Sequence, residues 1–287
     1  MTQMNNKTLD LNAARASYGT PNYNHGRIYV QRPGGTMDYA HAYVVSNEDL
    51  RDTTGLTRDI GKRVLTVAAS GDHPLFYALN GATKIDTFDV TFGAKAIMDI
   101  KTQAISQGMK FADYQALLNR LHFAPSASQV QNMPSILANM PQDSAKYIYG
   151  MDGYRIFGNG LNLDYYTQEN FSEAEYEKLQ AIIKKPFNFI WTNIAELNTY
   201  LNDEYDVINL SNIFEWHGWT TESIIQIIKK LHDHIRVNGQ ILLQTGGSFS
   251  QDEINRYIKA QEKLKDWAKI GINRGPQSNV IILERTR

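Results

Sequence analysis

The chain has 287 residues, 29 Lys and Arg against 30 Asp and Glu, a formal net charge of -1, 42% hydrophobic residues and no cysteine. That is enough apolar chain for one large core and too little net charge to draw in a polyanion from a distance, which weighs against nucleic acid as a partner. With no thiol there is no disulfide, zinc-thiolate or iron–sulfur site and no cysteine nucleophile, so the chemistry falls to His, Asp, Glu, Ser, Lys and Tyr.

Residues 1–60 are polar, rich in Gly and Tyr and weakly periodic, with Tyr18, Tyr23, Tyr29, Tyr39 and Tyr43 among Pro21, Pro33 and Gly34-Gly35. They read as an irregular N-terminal arm or lid. The opening MTQMNNKTLD has no charged-then-apolar leader pattern, and no apolar run approaches the ~18 residues of a membrane span. The expectation is a cytoplasmic protein without integral membrane association.

From residue 61 onward the pattern is that of one α/β domain. Arg63 to Ala69 is a β-branched, apolar run of the kind buried on both faces of a parallel sheet, and it ends at Ser70-Gly71-Asp72. Asp72 is placed to cap a helix that contains Pro74 and runs to Leu79, with Asn80-Gly81 as its stop. Lys84 to Val90 reads as a second strand, completing a βαβ unit. Ala94, Ile97, Ile100, Ala104 and Ile105 mark a helix that Gly108 ends.

Residues from about 110 to 185 contain no clean strand and read as a helical insertion. Phe111, Tyr114, Leu117, Leu118 and Leu121 lie on one helix, and Ser172 with Glu175 opens another as a capping box. Strands follow at Phe187–Trp191, Tyr205–Leu210 and Gln240–Gln244, with an amphipathic helix of Ile224, Ile225, Ile228, Leu231 and Ile235 between the last two. Ser250 and Glu253 signal one more helix, and 267–272 with 279–284 a closing strand pair. The fold expected is a Rossmann-like, mostly parallel twisted sheet with an antiparallel C-terminal strand.

In such sheets the ligand lies beyond the carboxyl ends of the strands, and the first βα turn is the usual cofactor cradle. Here that turn, Ala68 to His73, has one glycine where a dinucleotide fingerprint wants three, and Asp72 stands where a pyrophosphate would sit. A carboxylate repels an anion and attracts a cation, which favours a nucleoside ligand carrying positive charge, such as S-adenosylmethionine, over NAD. Asp89, 18 residues after Gly71, is placed to accept ribose hydroxyls, whereas Asp86 points to the opposite face of an extended strand.

The segments VLTVAASGDHPLFYALNGATKIDTFDV and YDVINLSNIFEW resemble the class I S-adenosylmethionine-dependent methyltransferase fold. The Ser-Gly-Asp turn and Phe-Asp strand ending further resemble the S-adenosylmethionine:diacylglycerol 3-amino-3-carboxypropyl transferases of betaine-lipid synthesis and their bacterial relatives. The resemblance implies that Ala69, Ser70, Gly71 and Asp72 face the methionine half of the cofactor, Asp89 the ribose, Val90 the adenine ring and Asn193 its amino group. It also implies that Asn209, Ser211 and Asn212 floor the transfer site. Tyr43, Ser46, Glu48 and Asp49 resemble the family's entry segment, or a plain helix start. Two departures stand out: Ala69 replaces a glycine of the family's turn, and Thr66 occupies the column of an acidic residue.

The catalytic candidates are Glu215 and His217 after the fourth strand, with Asp72, because deprotonating an acceptor needs a base within hydrogen-bond reach. His232-Asp233-His234 is not read as a metal site, since residues two apart on a helix do not share a face. The expected activity is transfer of a methyl or 3-amino-3-carboxypropyl group from S-adenosylmethionine to a small-molecule or lipid acceptor. The competing readings are an NAD-dependent oxidoreductase and a catalytically inactive interaction module on the same sheet.

Overall fold

The structure is a computed structural model, and it describes residues 9–12, 44–46, 50–57, 63–123, 127–152, 157, 171–215, 219–246, 264–274 and 278–287. Seven strands form one sheet: β1 (Arg63–Val67), β2 (Lys84–Asp89), β3 (Asn188–Trp191), β4 (Tyr205–Asn209), β5 (Ile235–Gly246), β6 (Trp267–Arg274) and β7 (Ser278–Arg285). Their spatial order is β3-β2-β1-β4-β5-β7-β6. Strands β1 to β5 pair in parallel, and β7 runs antiparallel to both β5 and β6. The Rossmann-like sheet with an antiparallel C-terminal strand is the architecture expected from the alternation of short apolar runs and amphipathic helices.

The described helices are α1 (Leu50–Gly55), α2 (Asp72–Leu79), α3 (Phe92–Ser106), α4 (Phe111–Phe123), α5 (Met133–Leu137), α6 (Gln142–Gly150), α7 (Glu173–Ile182) and α8 (Thr221–Leu231). Helices α4 to α7 lie between α3 and β3, and α7 opens on a complete capping box of Ser172 and Glu175. One core cluster joins Val44, Val45 and Leu50 to helices α2 to α7. A second packs α8, through Ile224, Ile225, Ile228 and Leu231, against Leu65, Phe88, Ile208 and Leu243. The described pieces of the N-terminal segment thus belong to the main core. Most of the remainder of residues 1–60, with Tyr43, Glu48 and Asp49, lies outside the described residues, as does the helix expected from Ser250.

Three boundaries differ from the sequence expectation. Helix α2 begins at Asp72 itself and its cap is Gly71, at φ 83° and with no side chain to cap with, while the Asp72 carboxylate is engaged by Lys101, Ser70 and Ser46. Helix α8 stops at Leu231, and Ile235 opens β5 instead of closing the helix. That strand starts earlier than expected because residues 236–239 loop out of the ladder: Tyr205 pairs with Ile235, yet Val207 pairs with Gln240. Asn238 takes φ 65°, and a Cβ on Gly239 would stand 2.7 Å from Ile235 Cγ1, so this Asn-Gly pair is what lets the strand resume.

Candidate functional site

Strand order reverses between β1 and β4, and in open parallel sheets ligands bind at the carboxyl edge beside such a switch point. Two backbone turns there are held in the left-handed region by residues other than glycine: Ala69 at φ 46° and Ser211 at φ 50°, each two residues past its strand. An L side chain in that region costs about 1–2 kcal/mol. Such positions persist where neighbouring groups over-determine them.

Asp89 supplies the bonds that hold the first turn. One carboxylate oxygen accepts the Ala69 N–H at 2.9 Å, crossing from β2 to the β1 turn, and the other accepts the Thr91 N–H at 3.0 Å. The residue is 7% exposed, and burial pushes its carboxyl up to about 6 against the opposing pull of those backbone N–H groups. Backbone N–H groups of Thr91, Ala69 and Val90 meet this carboxylate, whose remaining lone pair can still accept a ligand hydroxyl. Asp86 does lie on the opposite face, where it accepts from Tyr205 Oη at 2.8 Å and Asn188 Nδ2 at 2.9 Å.

The second turn is stitched on both sides. Asn209 Oδ1 accepts the Ser211 N–H at 2.8 Å, and the Ser211 carbonyl accepts the Gln244 N–H at 2.8 Å. Thr66 and Asn209 are register partners across β1 and β4. The Asp89 carbonyl accepts the Thr192 N–H at 3.0 Å, and the Val90 carbonyl accepts Trp191 Nε1 at 3.0 Å. Ala69, Ser70, Gly71, Asp89, Val90, Asn193, Asn209 and Ser211 are therefore gathered along one edge of the sheet. Asn193 Oδ1 is engaged by the Glu196 N–H at 3.1 Å, where it caps a local turn.

Asp72 departs from its expected role. Its carboxylate is 1% exposed and pairs at 2.5 Å with Lys101 Nζ of α3, which is itself 0% exposed. The other oxygen accepts Ser70 Oγ and the Ser46 N–H, both at 2.8 Å. The charge that sequence reasoning offered to a cationic ligand is neutralised inside the protein, and the carboxylate is not free to act as a base. It lies beside a small cleft whose walls include Val45, Phe111, Tyr114, Leu118 and Phe171. Burial lowers the Lys101 pKa, and the Asp72 carboxylate opposes that shift.

Lys101 gave a signal that sequence reasoning passed over. It falls four residues after Ile97 and three after Met98, on the buried stripe of α3, where a lysine needs a partner. Gly71 also has a packing reason: a Cβ there would stand 2.8 Å from Met98 Cα, so the missing side chain lets α3 cross the turn. His73 is buried at 1% exposure in the first turn of α2, and its charge works to lower the Asp89 pKa. Glu215 ends a short 3-10 turn, Ile213–Glu215, and its side chain, like His217, lies outside the described residues. His232 contacts Asp233 Oδ1 at 3.1 Å and the Arg287 carbonyl at 3.2 Å.

No family model matches the chain, and no curated protein matches it in sequence. Solved structures similar to it include an rRNA methylase from Streptococcus thermophilus, at 10% identity over 84% of this chain and 98% of that one, with TM-score 0.42. A ribosomal protein L11 methylase from Lactobacillus delbrueckii subsp. bulgaricus is similar at 10% identity over 90% and 92%, with TM-score 0.45. A magnesium protoporphyrin IX methyltransferase from Synechocystis PCC 6803 with bound SAM is similar at 10% identity over 83% and 80%, with TM-score 0.41. These likenesses are too distant to carry an argument about ligand or acceptor. The chain itself forms a Rossmann-like sheet, with Ala69, Asp89, Asn209 and Ser211 beside its switch point.

Proposed function

We propose that this protein is an S-adenosylmethionine-dependent transferase. The observation that carries the reading is the left-handed turn at Ala69, beside the switch point, tied to the carboxylate that ends β2. A nucleoside bound beside such a switch point meets the first βα turn and the acid at the end of the second strand. The turn lacks the three glycines of a dinucleotide site, which sets the NAD-dependent alternative below this one.

In this reading Asp89 accepts from the ribose hydroxyls at the position its backbone partners leave open, and Val90 packs on the adenine. The turn Ala69 to Gly71 faces the amino-acid half, and Asn209 and Ser211 floor the transfer site. Asp72, paired with Lys101, keeps the turn in place. Glu215 and His217 are proposed to take the acceptor's proton. A bound S-adenosylmethionine supplies an electrophilic carbon beside its sulfonium: attack at the methyl leaves S-adenosylhomocysteine, and attack at the aminocarboxypropyl carbon leaves methylthioadenosine. The protein's share is to hold acceptor and carbon in line.

The acceptor is proposed to be a small molecule or lipid. Near-neutral charge bears only on long-range attraction, so a single nucleoside or base remains within that class. No described helix is long and apolar enough to cross a membrane. Calorimetry with S-adenosylmethionine, S-adenosylhomocysteine and NAD tests the proposal: heat with the two adenosyl compounds and none with NAD is expected, and silence from both sinks it. Asp89→Ala should weaken S-adenosylhomocysteine at least about tenfold, since hydrogen bonds to a charged group contribute about 1.5–3 kcal/mol each.

A further inference from the structure

Next to the switch point, on β4 and β5, the sheet holds two amides: that of Gln244, which the transferase reading does not use, and that of Asn209, whose nitrogen the reading leaves without a role. Gln244 is 1% exposed, and neither its amide oxygen nor its amide nitrogen has a hydrogen-bond partner. Asn209 is 0% exposed, and its Nδ2 is likewise unpartnered, although its Oδ1 is engaged by Ser211. Register places both on one face. Asn209 pairs with Leu242, two residues before Gln244, and Gln244 pairs with Val280. Leu242 and Val280 belong to the same small apolar cluster as Val64, Val207 and Tyr77, and the two amides share this face with the polar side chains of Thr66 and Gln240.

Buried amide groups without partners are rare, because each gives up its hydrogen bonds to water with no return. Two such groups at the carboxyl edge of adjacent strands, beside an apolar cluster, have the composition of a recognition site for a neutral polar ligand. Their chemistry is specific. Along the edge it presents to a planar ligand, Gln244 offers one of its two N–H donors beside its carbonyl acceptor, and Asn209 adds one of its own two N–H groups. Two donors and one acceptor are the complement of a group with two carbonyls flanking one N–H, which is a cyclic imide. Charge plays no part, since neither amide titrates, and a desolvated setting strengthens each bond that forms.

We infer that Gln244 and Asn209 form the acceptor-binding corner of this protein and that the acceptor presents a neutral cyclic imide edge. The inference rests on the transferase reading only for the word acceptor; the binding itself does not require a cofactor. An imide edge occurs in free small imides and in uracil-type pyrimidines, and the two sources are separated by the choice of probes.

The test titrates succinimide, uracil and uridine into the full-length protein by calorimetry, without cofactor. N-methylsuccinimide, 3-methyluracil and 3-methyluridine serve as controls whose N–H is blocked. At least one parent compound should bind at millimolar concentration or below, and its N-methyl counterpart should bind at least tenfold more weakly. Succinimide binding alone indicates a small imide; uracil or uridine binding alone indicates a pyrimidine. Gln244→Leu, which removes the amide at similar volume, should abolish that binding while leaving the urea midpoint unchanged or higher. The comparison of parent and N-methyl compounds on the unaltered protein stands even if that variant fails to fold. No binding by any parent compound, or binding that survives N-methylation, overturns the inference. S-adenosylhomocysteine, titrated separately, tells the two readings apart: imide binding without it leaves this site standing and removes the transferase, and the reverse removes only the site.

Discussion

Replacing Lys101 with methionine is the sharpest test of how the cradle is held. The ammonium sits 2.5 Å from Asp72 Oδ1, and the two side chains are 0% and 1% exposed. At an effective dielectric of about 20, charges at that distance attract by about 7 kcal/mol. Removing each ion from water costs several kcal/mol, so the intact pair contributes little net stability, but removing one partner leaves a buried charge and costs about 3–5 kcal/mol. Lys101→Met should therefore lower the unfolding free energy by about 3–5 kcal/mol in urea at pH 7, with the slope m unchanged. Asp72→Asn should cost less as pH rises. Burial already lowers the Lys101 pKa, and without the carboxylate the folded state binds fewer protons than the unfolded one, so stability increases with pH. The double variant Asp72→Asn with Lys101→Met, which removes both charges and keeps an acceptor for the Ser70 hydroxyl and the Ser46 N–H, should recover most of that loss. A loss below about 1 kcal/mol for Lys101→Met, or a double variant as unstable as the sum of the singles, would show that the pair is not the closed structural unit described.

Three further outcomes are expected. Ala69→Gly relieves the left-handed backbone at φ 46° and should stabilise by about 1 kcal/mol, read as a higher urea midpoint; a lower midpoint would show that the turn is not strained. Gly71→Ala places a methyl 2.8 Å from Met98 Cα at φ 83° and should cost at least about 2 kcal/mol. Met98→Ala should not rescue it, because the clash is with backbone, and rescue would refute the geometry. Asp89 has a folded pKa of about 6 against its ordinary 3.8. Since the folded state holds that proton more tightly, its contribution to stability falls by roughly 3 kcal/mol as pH rises from about 4 to about 6. Comparing urea midpoints across that window, Asp89→Asn should remove the fall, and an unchanged pH profile would assign it to another group.

The order and type of the elements were legible because they are encoded locally. The β-branched run at Val64 to Val67, the isoleucines of Thr221–Leu231 and the Ser172–Glu175 capping box each declare themselves within a few residues, and each appears where expected. The opposite orientation of Asp86 and Asp89 was equally legible, since strand side chains alternate. Where local signals competed, reading along the chain failed. Ile235 fits the helical period of the preceding isoleucines, yet pairing with Tyr205 takes it into β5, and the Asn238-Gly239 turn that makes this possible was passed over.

Sequence alone determined a cysteine-free, near-neutral α/β chain with a single-glycine turn after its first strand and an acid at the end of its second. The tertiary structure decided what those residues do. Asp72 looked like an electrostatic lure for a cation because no lysine or arginine stands near it in sequence, but α3 brings Lys101 across 29 positions to neutralise it. Asp89 looked like a ribose ligand, and in the fold it holds the turn that carries Ala69. Gln244 looked like one more polar residue at a strand end until the register put its unpartnered amide on the same face as that of Asn209. The physical reason is common to all three. Periodicity is set by neighbours in the chain, whereas the fate of a buried polar group depends on which distant segment is folded against it.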